Sequence, residues 1–440
     1  MSADVVLIAP PLTWEAAYPL RLASLAAALK ARGARTLGLD LRRDPGTLSR
    51  WLATSDAAAP ALVVVESSIR NLAQVRAVVE RVRARTAAQV VVTGTAAAVA
   101  PAAFMGAPGE PWCADTAVTG DAEVVVPALL DAATDRYSAV AGAWRRTPAG
   151  DMVSSPGGFL PLDELPLADR ELFPLEEYCR HPLRGVARHA PIEASRGCTL
   201  GCSFCPVPRS TAHELRLRPV DGVIDEMDQL RHDHDVTHFL LEDEQPLLDR
   251  GWFSSLLAAV RGRLAGAVLE LPNGVRPDLL DPELLEEMAR SGVARIALGI
   301  ESGSDRVRRA IGRPIEPARL LGVIDDARRR GLVVAGYFMV GLPGESAVEL
   351  AQTLSLARRL PVHYVHLSVC WPWSPLLLEP NRATRLGTAL RAAGYLGAYS
   401  NPRRALDLCR IGDLSLAHGP IAVGRLGRWI ASGARGGGGW

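Results

Sequence analysis

Ser195–Cys205 reads SRGCTLGCSFC, which sets Cys198, Cys202 and Cys205 at Cys-x3-Cys-x2-Cys spacing. Thiolates are ligands for soft metals and iron–sulfur clusters. The count of three is informative. A structural zinc site takes four ligands, and no fourth Cys or His lies close in sequence. A cubane held by three cysteines leaves one iron open for a substrate or cofactor. Gly197 and Gly201 give the loop freedom to wrap a cluster. Two other readings stand at this point: three buried cysteines without a metal, or a zinc loop completed by remote ligands.

The motif follows a β-rich run, Ile192–Ser195, and opens a strand–helix series. Further strands are read at His238–Glu242, Leu269–Pro272, Arg295–Ile300, Val333–Val340 and Val362–Val369. Helical periodicity falls at 219–232, 250–264, 281–290, 305–311 with 316–330, and 346–359. Six steps are too few for a closed eight-stranded barrel. The expectation is an open, partial (β/α)6 barrel with its chemistry at the carboxyl ends of the strands, where the cysteine loop falls.

Upstream, Val5–Pro10, Ala34–Asp40, Ala61–Glu66, Gln89–Gly94 and Thr116–Gly120 read as strands separated by helical stretches. Near-continuous apolar strands joined by helices mean a parallel sheet covered on both faces. This predicts a doubly wound, Rossmann-like domain that binds its ligand at the strand carboxyl ends. The stretch between the two series is rich in Pro, Gly and turn signals. The expected organisation is therefore 1–135 doubly wound domain, 136–188 connector, 189–374 partial barrel and 375–440 basic extension.

Composition sets the bounds. The chain has 440 residues, a net charge of +1, 22% charged and 48% hydrophobic residues, which is globular and not disordered. No apolar run reaches the roughly 18–20 residues of a membrane span. MSADVVLIAPP lacks a basic region ahead of its apolar stretch, against a secretory leader. Seven cysteines, three of them in eight positions, argue for a reduced, cytoplasmic metalloprotein over a disulfide scaffold. Residues 381–440 hold nine Arg against two Asp. That end is either a solvated Arg-rich surface or a site favouring an anionic, nucleotide-like or carboxylated substrate. No clear nucleic-acid signal is present.

The cysteine motif, with Phe204 before its last Cys, resembles the radical S-adenosylmethionine (SAM) signature. Pro272–Leu280 (PNGVRPDLL), Leu298–Arg309 (LGIESGSDRVRR) and Gly336–Glu345 (GYFMVGLPGE) resemble further blocks of that superfamily in the same order. Tyr18–Asp40 and Thr119–Leu130 resemble the cobalamin-binding domain that precedes the barrel in class B methyltransferase-like members. The resemblance spans roughly residues 1–370.

The resemblance implies a 4Fe–4S cluster on Cys198, Cys202 and Cys205 whose open iron chelates SAM. An electron from the cluster cleaves the sulfonium, giving a 5′-deoxyadenosyl radical or, with cobalamin, methyl transfer to cobalt. Phe204, Glu242, Asp243, Asn273, Arg276, Glu301, Ser302, Gly341 and Pro343 take the implied SAM positions, and Asp243 and Glu244 are candidates for catalysis. Members with cobalamin often read Asp-Asp-x-Phe where this chain has Asp243-Glu244-Gln245-Pro246, without the aromatic. Arg196, beside the first Cys, is a candidate for placing positive charge near the cluster. The Asp-x-His-x-x-Gly fingerprint that supplies a lower cobalt ligand is missing. Ser68, Ile69, Arg70, Gly94 and Thr95 are the residual cobalamin candidates. Cys370, with Trp371 and Trp373, closes the sixth strand as a substrate wall or a thiol near the radical. His232, His234 and His238 have metal-like spacing, but at the end opposite the cysteines.

The expected activity is methylation of an unactivated carbon of a small, natural-product-like molecule, with flavodoxin or ferredoxin as electron donor. Two alternatives stay open: non-methylating radical chemistry (rearrangement, cyclisation or oxidation) with a vestigial cobalamin domain, and a non-catalytic metal-binding interaction module.

Overall fold

The computed structural model describes residues 3–11, 17–54, 60–69, 71–106, 113–132, 140–146, 152–178, 188–370, 391 and 393–410. Arg70, Trp371, Trp373 and most of the basic extension lie outside them.

The first sheet carries β1 (Val5–Ala9), β2 (Thr36–Asp40), β3 (Leu62–Glu66), β4 (Gln89–Thr93) and β5 (Thr116–Val118). These five run parallel in the order β2-β1-β3-β4-β5. Their alternate side chains feed two cores. Val6, Ile8, Val63, Val65, Val90 and Val92 pack under α2 (Thr47–Thr54) and α3 (Leu72–Arg83). Val5, Leu7, Leu62, Val64 and Val91 pack under α1 (Leu20–Ala31) and α6 (Ala122–Asp131). A sheet buried on both faces needs such two-sided apolar strands. Two short helices, α4 (Thr95–Val99) and α5 (Ala102–Met105), follow β4.

The sheet is larger than the sequence reading expects. β6 (Ala143–Arg146) and β7 (Met152–Ser154), from the expected connector, extend it antiparallel beyond β5. Both are short and lie among Gly and Pro, so neither carries the long apolar run that marks the parallel strands.

The second sheet has the order β15-β14-β13-β12-β11-β8, all parallel, with the two ends unpaired to each other. Its strands are β8 (His189–Ile192), β11 (His238–Leu241), β12 (Val268–Val275), β13 (Val293–Glu301), β14 (Val333–Val340) and β15 (Tyr364–Val369). The first strand thus ends at Ile192, where the sequence reading began it. Ser195 belongs to a separate ribbon, β9 (Ser195–Gly197), antiparallel to β10 (Leu215–Leu217). Helices α8 (Val220–His234), α9 (Arg250–Arg263), α10 (Pro282–Arg290), α11 (Asp305–Ala310), α12 (Pro317–Arg329) and α13 (Ala347–Arg359) cover the outside. A seventh, α7 (Val207–Ser210), follows the cysteine loop. Asp249, Asp281, Ser304 and Ser346 cap α9, α10, α11 and α13 with side-chain oxygens. This is the α/β arrangement expected, a doubly wound domain followed by an open six-stranded barrel.

Both edges of the open barrel are covered. Tyr395 and Tyr399, four residues apart on a helical segment, set their hydroxyls against β15. Tyr395 takes the Leu367 N–H at 2.8 Å and donates to its carbonyl at 3.3 Å; Tyr399 does the same for Val365 at 3.2 Å each. On β8 and the residue that follows it, Arg170 and Arg218 donate to the carbonyls of Pro191 and Glu193 at 2.8 and 2.9 Å. An uncovered edge would be a template for pairing with another chain. No helix among the described residues is long and apolar enough to cross a membrane.

Candidate active site

The cysteine loop leaves the β9–β10 ribbon and is fastened from two sides. Gly197 has φ +100°, and a Cβ there would sit 2.0 Å from the Glu214 carbonyl oxygen, so this ribbon position needs glycine. Just past β11, the Asp243 carboxylate accepts the Ser195 hydroxyl and the Ala194 N–H, while Glu244 accepts the Gly197 N–H at 2.8 Å. On the far side, the Ser203 N–H donates to the Ile311 carbonyl at 3.3 Å. Arg313 Nε donates to Cys202 Sγ at 3.1 Å, with its guanidinium 5.8 Å above the Phe204 ring. Phe204 and Cys370 pack on Val307, Ile311 and Leu342.

Cys198 and Cys202 are buried, Cys205 is half-buried, and all three are free thiols. Burial pushes Cys205 up to about 12 and raises Cys198 as well. Glu301, at the end of β13, is buried with φ +66°, a backbone conformation uncommon for a residue with a side chain. Burial lifts its carboxyl to about 7, against the pull of Arg313, whose Nη2 lies 3.8 Å away. Nη1 of Arg313 is buried without a hydrogen-bond partner. The left-handed backbone of Glu301 and the unsatisfied Nη1 of Arg313 thus lie side by side next to the cysteine loop.

The implied SAM residues divide into three groups. Phe204, Arg276 and Glu301 surround the cysteine loop; Arg276 forks onto Asp278 at 2.8 and 2.5 Å and donates to the Gly312 carbonyl at 3.2 Å. Glu242 and Asn273 meet at 3.1 Å on neighbouring strand ends, and burial raises the Glu242 carboxyl. Gly341 and Pro343 form an exposed turn whose Gly341 and Leu342 N–H groups are taken by Glu345 at 2.8 and 3.3 Å. Ser302 instead turns inward to Thr353 of α13 at 3.1 Å. Asp243 is occupied within the protein as described. Cys370 is raised to about 11 by burial and then by the charges of Glu345 and Glu301. His232 pairs with Asp233, and His234 with Glu176, both at 2.8 Å.

Arg313 escaped the sequence reading because it lies four residues beyond the quoted block that ends at Arg309. Glu345 closes its block and carries a signal of its own, a carboxylate one residue past a Gly-Leu-Pro-Gly turn.

At the carboxyl ends of β1, β3, β4 and β5 lies a cleft of about 290 Å³. Ser67, Ser68, Thr93, Gly94, Thr95 and Gly120 line it with short side chains and hydroxyls, and no histidine lines it among the described residues. Ser68, Gly94 and Thr95 are thus in the cleft, whereas Ile69 packs against the hydrophobic core. Part of its wall is charged: Arg21, Arg42, Glu66, Asp121, Glu123, Arg196 and Glu244.

Arg196 points into this wall and away from the cysteines. It is 1% exposed and reaches Asp121 at 2.9 Å, Glu123 at 2.9 Å and Glu193 at 2.6 Å. Its charge is therefore matched by carboxylates, and the idea that it lends positive charge to the cluster is corrected. Arg216 also holds Asp121, at 2.5 Å; burial pushes that carboxyl up, but the two arginines bring it down to about 2. Arg21 of α1 bridges Glu193 at 2.6 Å and Glu244 at 3.0 Å.

Among the described residues, no three His, Cys, Asp or Glu side chains could hold a single metal ion. The three thiols fit a polynuclear cluster, in which each thiolate binds its own iron.

Residues 192–357 match the family model "Radical SAM superfamily". An uncharacterized methyltransferase of Pyrococcus horikoshii is 23% identical over 270 residues, 59% of this chain and 56% of that protein. The cytidylyl-2-hydroxyethylphosphonate methyltransferase of Streptomyces wedmorensis is 30% identical over 208 residues, 44% and 39%. The anaerobic magnesium-protoporphyrin IX monomethyl ester cyclase of Rubrivivax gelatinosus is 28% identical, covering 61% and 49%. The chain spans about half the length of these relatives. Among solved structures, the radical SAM methyltransferase TsrM from Kitasatospora setae, with cobalamin and a [4Fe–4S] cluster bound, superposes with TM-score 0.68 at 20% identity, over 85% of this chain and 77% of that one. The cobalamin-dependent radical SAM enzyme OxsB gives 0.65 at 14%, over 88% and 55%. Both share the fold of the two domains together. The barrel, which carries the three cysteines at its mouth, is thus the part of the chain that matches the radical SAM superfamily model.

Proposed function

We propose that this protein is a cobalamin-dependent radical SAM methyltransferase acting on an unactivated carbon of a small molecule. One observation carries the reading: the cysteine loop and the cleft of the doubly wound domain share a wall, made by Arg21, Arg196 and Glu244. Two cofactors that must exchange a methyl group need such adjacency. When bound, the cluster and SAM supply an electron and a methyl or carbon-radical source, and the corrinoid supplies a methyl carrier.

The proposed division of labour follows the geometry. Cys198, Cys202 and Cys205 hold the cluster. Arg313, with its unpartnered Nη1, and Glu301 would hold the carboxylate and ammonium of SAM, a charge-assisted pairing. Glu242 and Asn273 take the polar rim of the nucleoside, and the Gly341–Pro343 turn offers backbone to it. Phe204, Ile311, Leu342 and Cys370 keep water from the reacting groups. Hydroxyls of Ser68 and Thr95 suit the amide-bearing edge of a corrinoid. The proposed units are 1–135 with the β6–β7 hairpin for the corrinoid, the rest of 136–188 joining the two, 189–374 with the edge-covering segment of Tyr395 and Tyr399 for the cluster and SAM, and the remainder of 375–440 as an extension. A flavodoxin or ferredoxin is the proposed reductant, and the cytoplasm the proposed compartment.

Non-methylating chemistry is the second reading. The match to a relative named as a cyclase favours it. Anaerobic purification with hydroxocobalamin, followed by absorbance and iron and sulfide counts, separates the two. Cluster and corrinoid together support the methyltransferase; cluster without corrinoid moves the assignment to the second reading; a colourless, iron-free protein overturns both. Cys202→Ala should lose the cluster and abolish SAM cleavage, and deoxyadenosine formed by a folded Cys202→Ala protein would refute the cluster assignment.

A further inference from the structure

We propose that Arg196 is a positioning residue that couples occupancy of the cleft to the cysteine loop, so that the two cofactors bind with positive cooperativity. The inference rests on the reading above and goes past it, to how the two halves communicate.

The connections form a closed ring. Asp121 and Glu123 open α6 of the first domain, and both grip Arg196 at 2.9 Å. Arg196 also holds Glu193 at 2.6 Å; Glu193 meets Arg21 at 2.6 Å; Arg21 meets Glu244 at 3.0 Å. Glu244 returns to the Gly197 N–H at 2.8 Å. Arg196 and Gly197 are the two residues immediately before Cys198. The backbone that presents the first thiol is therefore fixed at two successive positions, Arg196 from the first domain directly and Gly197 from Glu244 of the barrel, which Arg21 of the first domain holds in turn. Five of these side chains (Arg21, Asp121, Glu123, Arg196 and Glu244) also line the cleft. A ligand lying there touches the same groups that hold the loop.

The sign follows from entropy. Fixing long charged side chains costs rotamer freedom. The ring as described already holds these side chains in one arrangement; a ligand in the cleft that favours this arrangement over its opened alternatives leaves less to lose when a cluster fixes the loop, and the reverse holds equally. Such coupling is reciprocal, and typically 5- to 150-fold in affinity. Arg196 is the member through which it passes, because it alone contacts carboxylates from both domains while sitting beside a cysteine ligand.

The test measures the affinity of hydroxocobalamin for the cluster-free and the cluster-reconstituted protein by anaerobic titration, with iron counted in each sample. We expect about fivefold or more tighter binding to the reconstituted form. In Arg196→Met the ratio should fall to one while both ligands still bind. Glu123→Gln, which leaves Arg196 two carboxylates, should give an intermediate ratio and serves if Arg196→Met does not fold. A ratio of one in the unmodified protein, or an undiminished ratio in the variants, overturns the coupling and leaves the methyltransferase reading intact. Failure of hydroxocobalamin to bind either form overturns the cofactor reading and this inference with it.

Discussion

Asp243 illustrates how one residue can look catalytic in sequence and be structural in space. It sits in the acidic run after β11, where a SAM contact is implied, yet both carboxylate oxygens serve Ser195 and Ala194. Burial raises it from 3.8 to about 7. Between those values the folded protein keeps a proton that the unfolded chain has lost. Stability therefore falls as pH rises through this window and levels off above it. Asp243→Asn keeps an acceptor for the Ala194 N–H and removes the titration. Its thermal midpoint, followed from pH 4 to 8, should decline less steeply than that of the unmodified protein, with Glu301 keeping its own share of the slope; parallel profiles would dispose of the burial argument. Cys198, Cys202 and Cys205 were legible because their spacing is itself the signal. Ser302, Asp243 and Arg196 were not, because whether a polar side chain faces a ligand or the protein depends on partners such as Thr353 or Glu123 that are remote in sequence.

At the scale of elements, the parallel strands and their helices were legible to within a few residues, since two-sided apolar runs and amphipathic periods dictate them. The β6–β7 hairpin and the β9–β10 ribbon were not. They are three or four residues long, and their pairing is set by neighbouring backbone and not by a pattern of their own. The helical segment carrying Tyr395 and Tyr399 was equally hidden, as its task is to stand in for a missing strand beside β15. That task makes a prediction. Tyr395→Phe leaves the buried N–H and C=O of Leu367 without this partner, and should cost about 1–3 kcal/mol in urea denaturation. An unchanged midpoint would mean that another group covers the edge. Part of the basic extension is explained in the same way: Arg404, 2% exposed, donates to the carbonyls of Ala357, Leu360 and Val362 and is no surface charge.

For the whole molecule, the first domain and the barrel keep separate hydrophobic cores. Between them lies the charged ring around Arg196. Removing partners from a buried ion cluster typically costs about 3–5 kcal/mol, because the remaining charge stays desolvated. Asp121→Asn with Glu123→Gln should therefore loosen the junction more than either core. Calorimetry should resolve two transitions where the unmodified protein gives one, and a single unshifted transition in the double variant would show the ring to be idle.

The ring also has a direction in time. Arg21, Asp121 and Glu123 leave the ribosome before Cys198 is made, and domains tend to complete themselves in the order of synthesis. The first domain can thus present a finished anionic recess, made of Asp121 and Glu123, when Arg196 emerges. The thiol-bearing segment would then be shaped on a surface already in place, so that the nascent chain has a template for its metal-binding loop before any iron arrives.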